Sequence, residues 1–531
     1  MANEKEYIVT VKKGVDWEEI HNELTTNTNG SATVPDRTVD TVNLKPNNNR
    51  NTHYALTDEE AVALRNDPRI QTVIDPSKRR LFTSAFQDGN FNKTTTVSGE
   101  QQNWGLLRHI SATNNFGTST ADPGGTYNYV LDGTGVDVVI TDSGIQPDHP
   151  EWQDAAGVSR LQQIDWYTAS GVPGTQNPNH YRDYDGHGTH VAGTVAGKTF
   201  GWAKNAQIYS LKINGLEADA DGSTGIPSYD VFDVILGWHN AKAGSRPTVA
   251  NASWGFGIIV NTNVTPNQIV DLNGDPLATI TGGSYRGVAH SDTTRSALIS
   301  KGLSGQNRGY GYYQFGIYDA PADADLDQLI DAGIIFTGSS GNNSQKLDVS
   351  GGLDYDNYLT LSADITGDGS FRWYYNRDTS PSKGTNPGFN VGALDSFAQS
   401  ASLDRKAYYS NGGPAVNIYT AGTEIISAIS SINTRSNTTN YYLNGSYKQA
   451  KFNGTSMAAP QMAGMAACLL QAHPTWSTSQ ITNWFQNKST TTIYSTGNND
   501  DYTNTNSIWG STQRVAYFPL NGQNPFQYTS S

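Results

Sequence analysis

GVDVVITDSGI, residues 135–145, is the stretch from which the fold is read. Val138, Val139 and Ile140 follow one another without the polar alternation of a half-exposed strand, so both faces of this strand must be covered. Asp142-Ser143-Gly144 then breaks the run as a turn. Two further stretches have the same form, AQIYSLKI (206–213) and GIIFTGSS (333–340). Helical patterns lie between them at 187–197, at 228–242 with Ser228 as cap, and at 323–332 closed by Gly333. Strands alternating with helices predict an α/β fold, a mostly parallel sheet with helices on both faces. Such sheets carry their reactive groups where strands end and helices begin.

Outward from this core the chain divides. Residues 1–77 form a small α+β unit. It has a strand at Tyr7–Val11 and a helix capped by Asp16 with Glu19 three residues on. After a polar Asn-rich stretch (44–53), a second helix opens with the capping box Thr57/Glu60, and a strand follows at Ile70–Ile74. Residues 78–101, opening on Lys78-Arg79-Arg80, read as an exposed linker. The α/β region spans 102–485 and is interrupted by polar insertions near 257–320 and 343–386. The tail, 486–531, is rich in Thr, Asn, Ser and Tyr and reads as an extra strand or a surface strap.

Composition narrows the function. Of 531 residues only 16% are charged, 54 are Gly, and the net charge is −14. An acidic chain without a Lys/Arg stripe repels a phosphate backbone, so nucleic acid is not an expected partner. No run of 18 apolar residues occurs, so no membrane-spanning helix is expected. A single cysteine, Cys468, excludes an internal disulfide framework; its neighbours Ala466, Ala467, Leu469 and Leu470 make it a core residue rather than a reactive thiol. The N-terminal sequence has no apolar stretch of signal-peptide length.

Three segments carry chemistry. Asp142 ends a strand. His187 opens the helix of DGHGTHVAGTVAG (185–197). Ser456 opens the helix of NGTSMAAPQMAG (453–464), with Pro460 expected in its first turn, where a missing N–H does little harm. Together they supply a nucleophile, a general base and a carboxylate to orient the base. SSGNN (339–343) follows a buried strand, and the side-chain amide of Asn342 can donate to an oxyanion without bringing a charge. Taken singly, each has a plainer reading: Ser456 as a helix cap, Asn342 as a turn residue. His187 and His190 also have a metal-pair spacing, with Asp183 and Asp185 nearby, but that reading leaves Asp142 and Ser456 without a purpose.

The order Asp142, His187, Asn342, Ser456, with these flanking sequences, resembles the subtilisin-like serine proteases over about residues 102–485. The short segment AGKTFGWAKNAQIYSLKI (196–213) is most similar to the proteinase K branch. The resemblance implies a subtilisin-like fold and a serine endopeptidase that needs no cofactor for its chemistry. Ser456 would be the nucleophile, His187 the base, Asp142 its partner and Asn342 the oxyanion donor. It also implies that peptide substrate binds as an added strand between Ser253-Trp254-Gly255 and Gly222-Ser223-Thr224-Gly225. Trp254 and the pair Ser339-Ser340 depart from the family pattern and are expected to alter the pocket for the residue before the scissile bond. Residues 1–77 resemble an inhibitory propeptide, especially YALTDEEAVALRNDPRIQTVID (54–75), and WGLLRHI (104–110) resembles the start of the mature enzyme. A self-inhibited zymogen cut between about 77 and 103 is implied, with proteins, peptides and its own propeptide as partners.

Subtilases often carry structural calcium. Asp364–Gly369, Asp271–Asp275 and Asp219–Gly222 are the acidic loops that invite it, without a complete ligand pattern. A rival reading is a virion or assembly component retaining a latent protease fold. The missing export signal and the large uncharged insertions motivate it.

Overall fold

The structure is a computed structural model that describes residues 4–26, 37–78, 81–82, 103–114, 127–213, 225–271, 273–307, 309–382, 386–400, 402–435 and 437–521. Its centre is a seven-stranded parallel sheet in the order 418–421, 389–394, 335–339, 248–252, 137–142, 207–212, 161–162. Val138 and Ile140 pack into one core with the helices His187–Ala196 and Thr455–Ala472. Val139 points the other way, into a second core with Val231–Ala241 and Ala320–Asp331. Burial on both faces is why the strand shows no polar alternation. Among the described residues no helix is long and apolar enough to cross a membrane.

Residues 4–78 build a separate four-stranded antiparallel sheet with two helices. The Thr57/Glu60 capping box is present. The Asn-rich stretch, read as a polar connection, is a different thing in space. Asn51–Leu56 is a strand pairing with Lys5–Val11, and Lys45, Asn48 and Asn51 are buried. Their polarity serves an interface: Lys45 Nζ meets Asp325 at 2.9 Å, the Asn47 N–H donates to Asp233, and Asn51 donates to the Pro321 carbonyl.

Other expectations shift for physical reasons. The 228–242 helix begins at Val231, and Ser228 does not cap it; Asp230 precedes it, its carboxylate accepting instead from Asn43 of the N-terminal unit. The 323–332 helix begins a turn earlier, at Ala320, capped by Asp319 with Pro321 in the first turn. The two polar insertions contain strands. They form an antiparallel sheet in the order 306–307, 312–316, 255–261, 268–270, 276–285, 358–361, 372–374. In the described part of the tail, which ends at residue 521, Val515 bridges Tyr419 and Thr490, and Ala516 and Phe518 are fully buried. Most of the expected linker lies outside the described residues. Leu81–Phe82 is described, however, and forms a short strand on Gly255–Phe256.

Candidate active site

Asp142 is the last residue of its strand, and His187 is the first of its helix. Asp142 Oδ1 accepts from His187 Nδ1 at 2.7 Å and from the Ser143 N–H at 2.8 Å. Both side chains are buried. The close approach depends on Gly188, where a Cβ would lie 2.1 Å from the Gly144 carbonyl oxygen. With Nδ1 facing the carboxylate, Nε2 is left as the basic nitrogen. It has no hydrogen-bond partner among the described residues. Burial works to lower the imidazole's pKa, but the charge and hydrogen bond of Asp142 outweigh it, and the net shift is upward.

Asp183 is a residue the sequence reading noted only as a metal candidate. Buried, it accepts from the Ser143 hydroxyl (2.8 Å), the Gly186 N–H (2.7 Å), and the Thr189 N–H (2.8 Å) and hydroxyl (2.5 Å). It thereby ties the turn after Asp142 to the first turn of the His187 helix. Burial raises its pKa to about 6. Its position three residues before Gly186 in a helix-opening block was the signal available. His190 turns away from His187. Its Nε2 faces the Ile425 and Ala450 carbonyls at 2.9 and 3.2 Å, and its ring stacks on Phe452 at 4.4 Å. Burial pushes it down to about 3, so it is a neutral core histidine and the two imidazoles do not converge on a metal.

Ser456 is the second residue of the Thr455–Ala472 helix, which packs against the His187 helix. Its hydroxyl donates to the Ser253 carbonyl at 3.0 Å, and the Ser253 hydroxyl returns a 3.0 Å bond to the Ser456 carbonyl. Here the expectation for Pro460 is corrected. It is the sixth residue of the helix, past the first turn, and it removes the N–H that the Ser456 carbonyl would otherwise accept. Ser253 supplies the replacement donor. A buried chain runs behind it, from Thr337 Oγ1 to Asn251 Oδ1 (3.0 Å) and from Asn251 Nδ2 to Ser253 Oγ (2.9 Å). Asn342 Oδ1 accepts from the Thr455 N–H and hydroxyl, both at 2.8 Å. That fixes the amide so that its Nδ2 is the end near Gly454. Cys468 is buried in the same helix.

Of the expected substrate segments, Ser253 is the residue that bonds Ser456, with Trp254 and Gly255 following it in the chain. The Trp254 indole donates to Thr141 Oγ1 (3.0 Å) and stacks on Phe232, so the ring belongs to the core behind the strand. Gly225 packs on the end of the Gln207–Lys212 strand; Gly222, Ser223 and Thr224 lie outside the described residues. In the two acidic loops that are described, the carboxylates are engaged by backbone N–H groups. Asp364 turns its oxygens to the N–H groups of Thr366, Gly367 and Gly369, and Asp271 to those of Asn273 and Asp275. The Asp219–Gly222 loop lies outside the described residues. Among the described residues no group of three or more His, Cys, Asp or Glu is arranged to hold a metal ion.

The architecture is thus an α/β fold in which Asp142 ends an interior strand of the parallel sheet and bonds His187, whose helix packs against the helix that carries Ser456 in its first turn. The chain belongs to the subtilase family, whose pattern matches residues 133–510. Curated relatives include the subtilisin-like serine protease Cur l 4.0101 of Cochliobolus lunatus, 25% identical over 78% of this chain and 57% of that protein. Alkaline serine exoprotease A of Vibrio alginolyticus is 24% identical over 80% of this chain and 52% of its own length. Proteinase R of Parengyodontium album is 26% identical over 70% of this chain and 62% of that protein, in line with the proteinase K branch. The chain therefore spans little more than half the length of the first two. Among solved structures, the crystal structure of fervidolysin from Fervidobacterium pennivorans, a keratinolytic enzyme related to subtilisin, shares the fold. It has a TM-score of 0.50 and 18% identity, over 98% of this chain and 61% of that one.

Proposed function

We propose that this chain is a serine endopeptidase that hydrolyses proteins and peptides through an acyl-enzyme on Ser456. The observation that carries the reading is the buried 2.7 Å bond between Asp142 and His187 beside the helix that Ser456 opens. In the first step the Ser456 hydroxyl leaves the Ser253 carbonyl and attacks the substrate carbonyl, and its proton passes to His187 Nε2. The Asp142 carboxylate stabilises the imidazolium. Asn342 Nδ2 donates to the oxyanion. Collapse breaks the C–N bond, His187 hands the proton to the leaving amine, and water, deprotonated by the same imidazole, releases the acid and regenerates Ser456. No metal or cofactor takes part in these steps.

The same reading makes residues 4–78 an inhibitory unit. Two features support it. The unit sits on the Val231–Ala241 and Ala320–Asp331 helices through the Lys45–Asp325 pair. Its trailing strand, Leu81–Phe82, occupies the edge of Gly255–Phe256, where the resemblance expects substrate. The relatives named above are proteases, and none of them favours the assembly-component reading.

The test is a fluorophosphonate probe on the purified full chain, followed by intact mass and peptide mapping. One adduct on Ser456, absent from Ser456→Ala, is expected. A folded protein that stays unlabelled even after limited proteolysis of the N-terminal unit overturns the reading.

A further inference from the structure

The His187–Ala196 helix opens on Gly186, a left-handed residue with no side chain to cap it. The N–H groups of its first turn are orphaned by helix geometry, and three separate side chains take them. The His187 N–H donates to Asp185 Oδ1 at 3.2 Å, the Gly188 N–H to Ser143 Oγ at 2.9 Å, and the Thr189 N–H to Asp183 Oδ2 at 2.8 Å. Asp183 also accepts the Ser143 hydroxyl, whose oxygen is the acceptor for Gly188. Ser143 in turn gives its own N–H to Asp142. A continuous path thus joins Asp183, through Ser143, to the carboxylate that holds His187 and to the residue that follows His187.

The segment carrying Asp183 is itself held. A Cβ on Gly144 would lie 2.3 Å from the Arg182 carbonyl oxygen, so the turn after Asp142 lies directly against this backbone. The same carbonyl accepts from Lys212 Nζ at 2.8 Å, and Lys212 stands beside Asp142 in the sheet. Asp142, Ser143, Asp183, His187 and Thr189 are all buried, so a lost partner is not simply replaced by solvent.

A carboxylate is the group this position requires. The four donors meet its oxygens in pairs, the Ser143 hydroxyl and Gly186 N–H on Oδ1, the Thr189 N–H and hydroxyl on Oδ2. Hydroxyls can turn round to accept, but each pair contains a backbone N–H, which cannot. An asparagine has one oxygen and one NH₂, so whichever way it flips it sets its amide against one of the two N–H groups. The charges that weigh on the imidazole are those of Asp142, Asp185 and Arg435; the connection of Asp183 to His187 is the hydrogen-bonded path.

We infer that Asp183 is a positioning residue for the base: through Ser143 and the first turn of the helix it fixes where His187 stands against Asp142. The inference rests on His187 serving Ser456 as its base. Groups that react must be held by others whose own geometry is locked, and a small misplacement of a base costs rate rather than substrate affinity.

The test compares purified full-length chains. Asp183→Asn is expected to leave KM for a peptide substrate unchanged, to lower kcat by roughly 10²-fold, and to slow fluorophosphonate labelling of Ser456 in parallel. In the Asp142→Asn background the same substitution is expected to cost less than about threefold, because the pair it aligns is already broken. Proton NMR gives a readout apart from turnover. The downfield resonance of the His187 Nδ1–H, assigned by its loss in His187→Ala, is expected to shift or vanish in Asp183→Asn while thermal unfolding still shows a folded chain. If Asp183→Asn does not fold, Ser143→Ala, which cuts the path at its middle, is expected to act in the same direction; unchanged kcat in that variant overturns the inference. So does a folded, less stable Asp183→Asn with unchanged kcat and resonance, or an equal loss with and without the Asp142 carboxylate, since either makes Asp183 a plain helix cap. In those cases labelling of Ser456 in the unsubstituted chain keeps the protease reading intact. A chain whose Ser456 never labels overturns both.

Discussion

Ser253 and Ser456 hold each other by two hydrogen bonds of 3.0 Å, each hydroxyl donating to the other's carbonyl. One of these bonds repairs the gap that Pro460 leaves in the helix. The other parks the proposed nucleophile on the carbonyl two residues before Gly255, the residue with which Phe82 pairs.

The repair predicts a coupling. Ser253→Ala removes the hydroxyl that donates to the buried Ser456 carbonyl, a cost of about 1–3 kcal/mol. Pro460→Ala restores an N–H for the same carbonyl. Thermal or denaturant unfolding of the two single variants and the double variant forms the cycle. The double variant is expected to be more stable than Ser253→Ala alone; simple additivity would show that Ser253 is not the replacement donor.

Asn342→Ala is expected to lower kcat roughly 10²–10³-fold with little change in KM, the magnitude known for removing such a donor in a subtilisin itself. Steady-state kinetics on a peptide substrate checks it. A change confined to KM would make Asn342 a binding residue instead.

The raised pKa of His187 sets the pH dependence. The base must be neutral, so kcat/KM rises with pH through a value above that of an ordinary histidine, about 6.5. Asp142→Asn removes the charge that holds it there. The acidic limb should then move to lower pH, and kcat should fall by about 10⁴, as for the corresponding aspartate of other triads. For stability the raised value works in the opposite direction. The Asp142–His187 contribution is full below the unfolded-state pKa and is lost as pH rises through the folded-state value.

The seat of the N-terminal unit is predicted to weaken toward neutral pH. Asp233, buried beneath the Asn47 backbone and facing Lys45 and Asp325, has its pKa raised to about 7. Its protonated form favours folding, fully below pH 4 and decreasingly as pH rises through 7. The melting temperature of uncut Ser456→Ala protein should fall across that window, and Asp233→Asn should flatten the fall. Lys45→Ala should destabilise the same protein, because it removes the cation that meets the buried Asp325 across the interface. A seat indifferent to both substitutions would mean that the interface is held elsewhere.

Much of this was legible in the residues. Val138, Val139 and Ile140 announce a strand covered on both faces, and the blocks around Asp142, His187 and Ser456 mark strand ends and helix starts. The insertions were not legible as sheet. The strand Pro276–Tyr285 buries Ala278 and Ile280 but also Gly282 and Ser284 on one face, so its residues do not show the apolar–polar alternation of a half-buried strand. Nor was the role of the Asn-rich stretch, since Asn48 and Asn51 read as loop residues until the helices that cover them are in place. Asp183 was visible as a carboxylate but not as the tie between two turns.

By itself the sequence determined what is local and periodic: the parallel-sheet core, the capping of Asp58–Arg65 by Thr57 and Glu60, and the residue types that the chemistry needs. The tertiary structure alone decided which polar group meets which. The Ser456 carbonyl gains its substitute donor from a serine 203 residues away in the chain, and the small cavity between Trp254 and Ser339 is lined by Thr379 and Phe315 from two separate insertions. Helix and strand signals follow from backbone geometry within a few residues. Hydrogen-bond partners and pocket size depend on long-range packing, which no local pattern encodes.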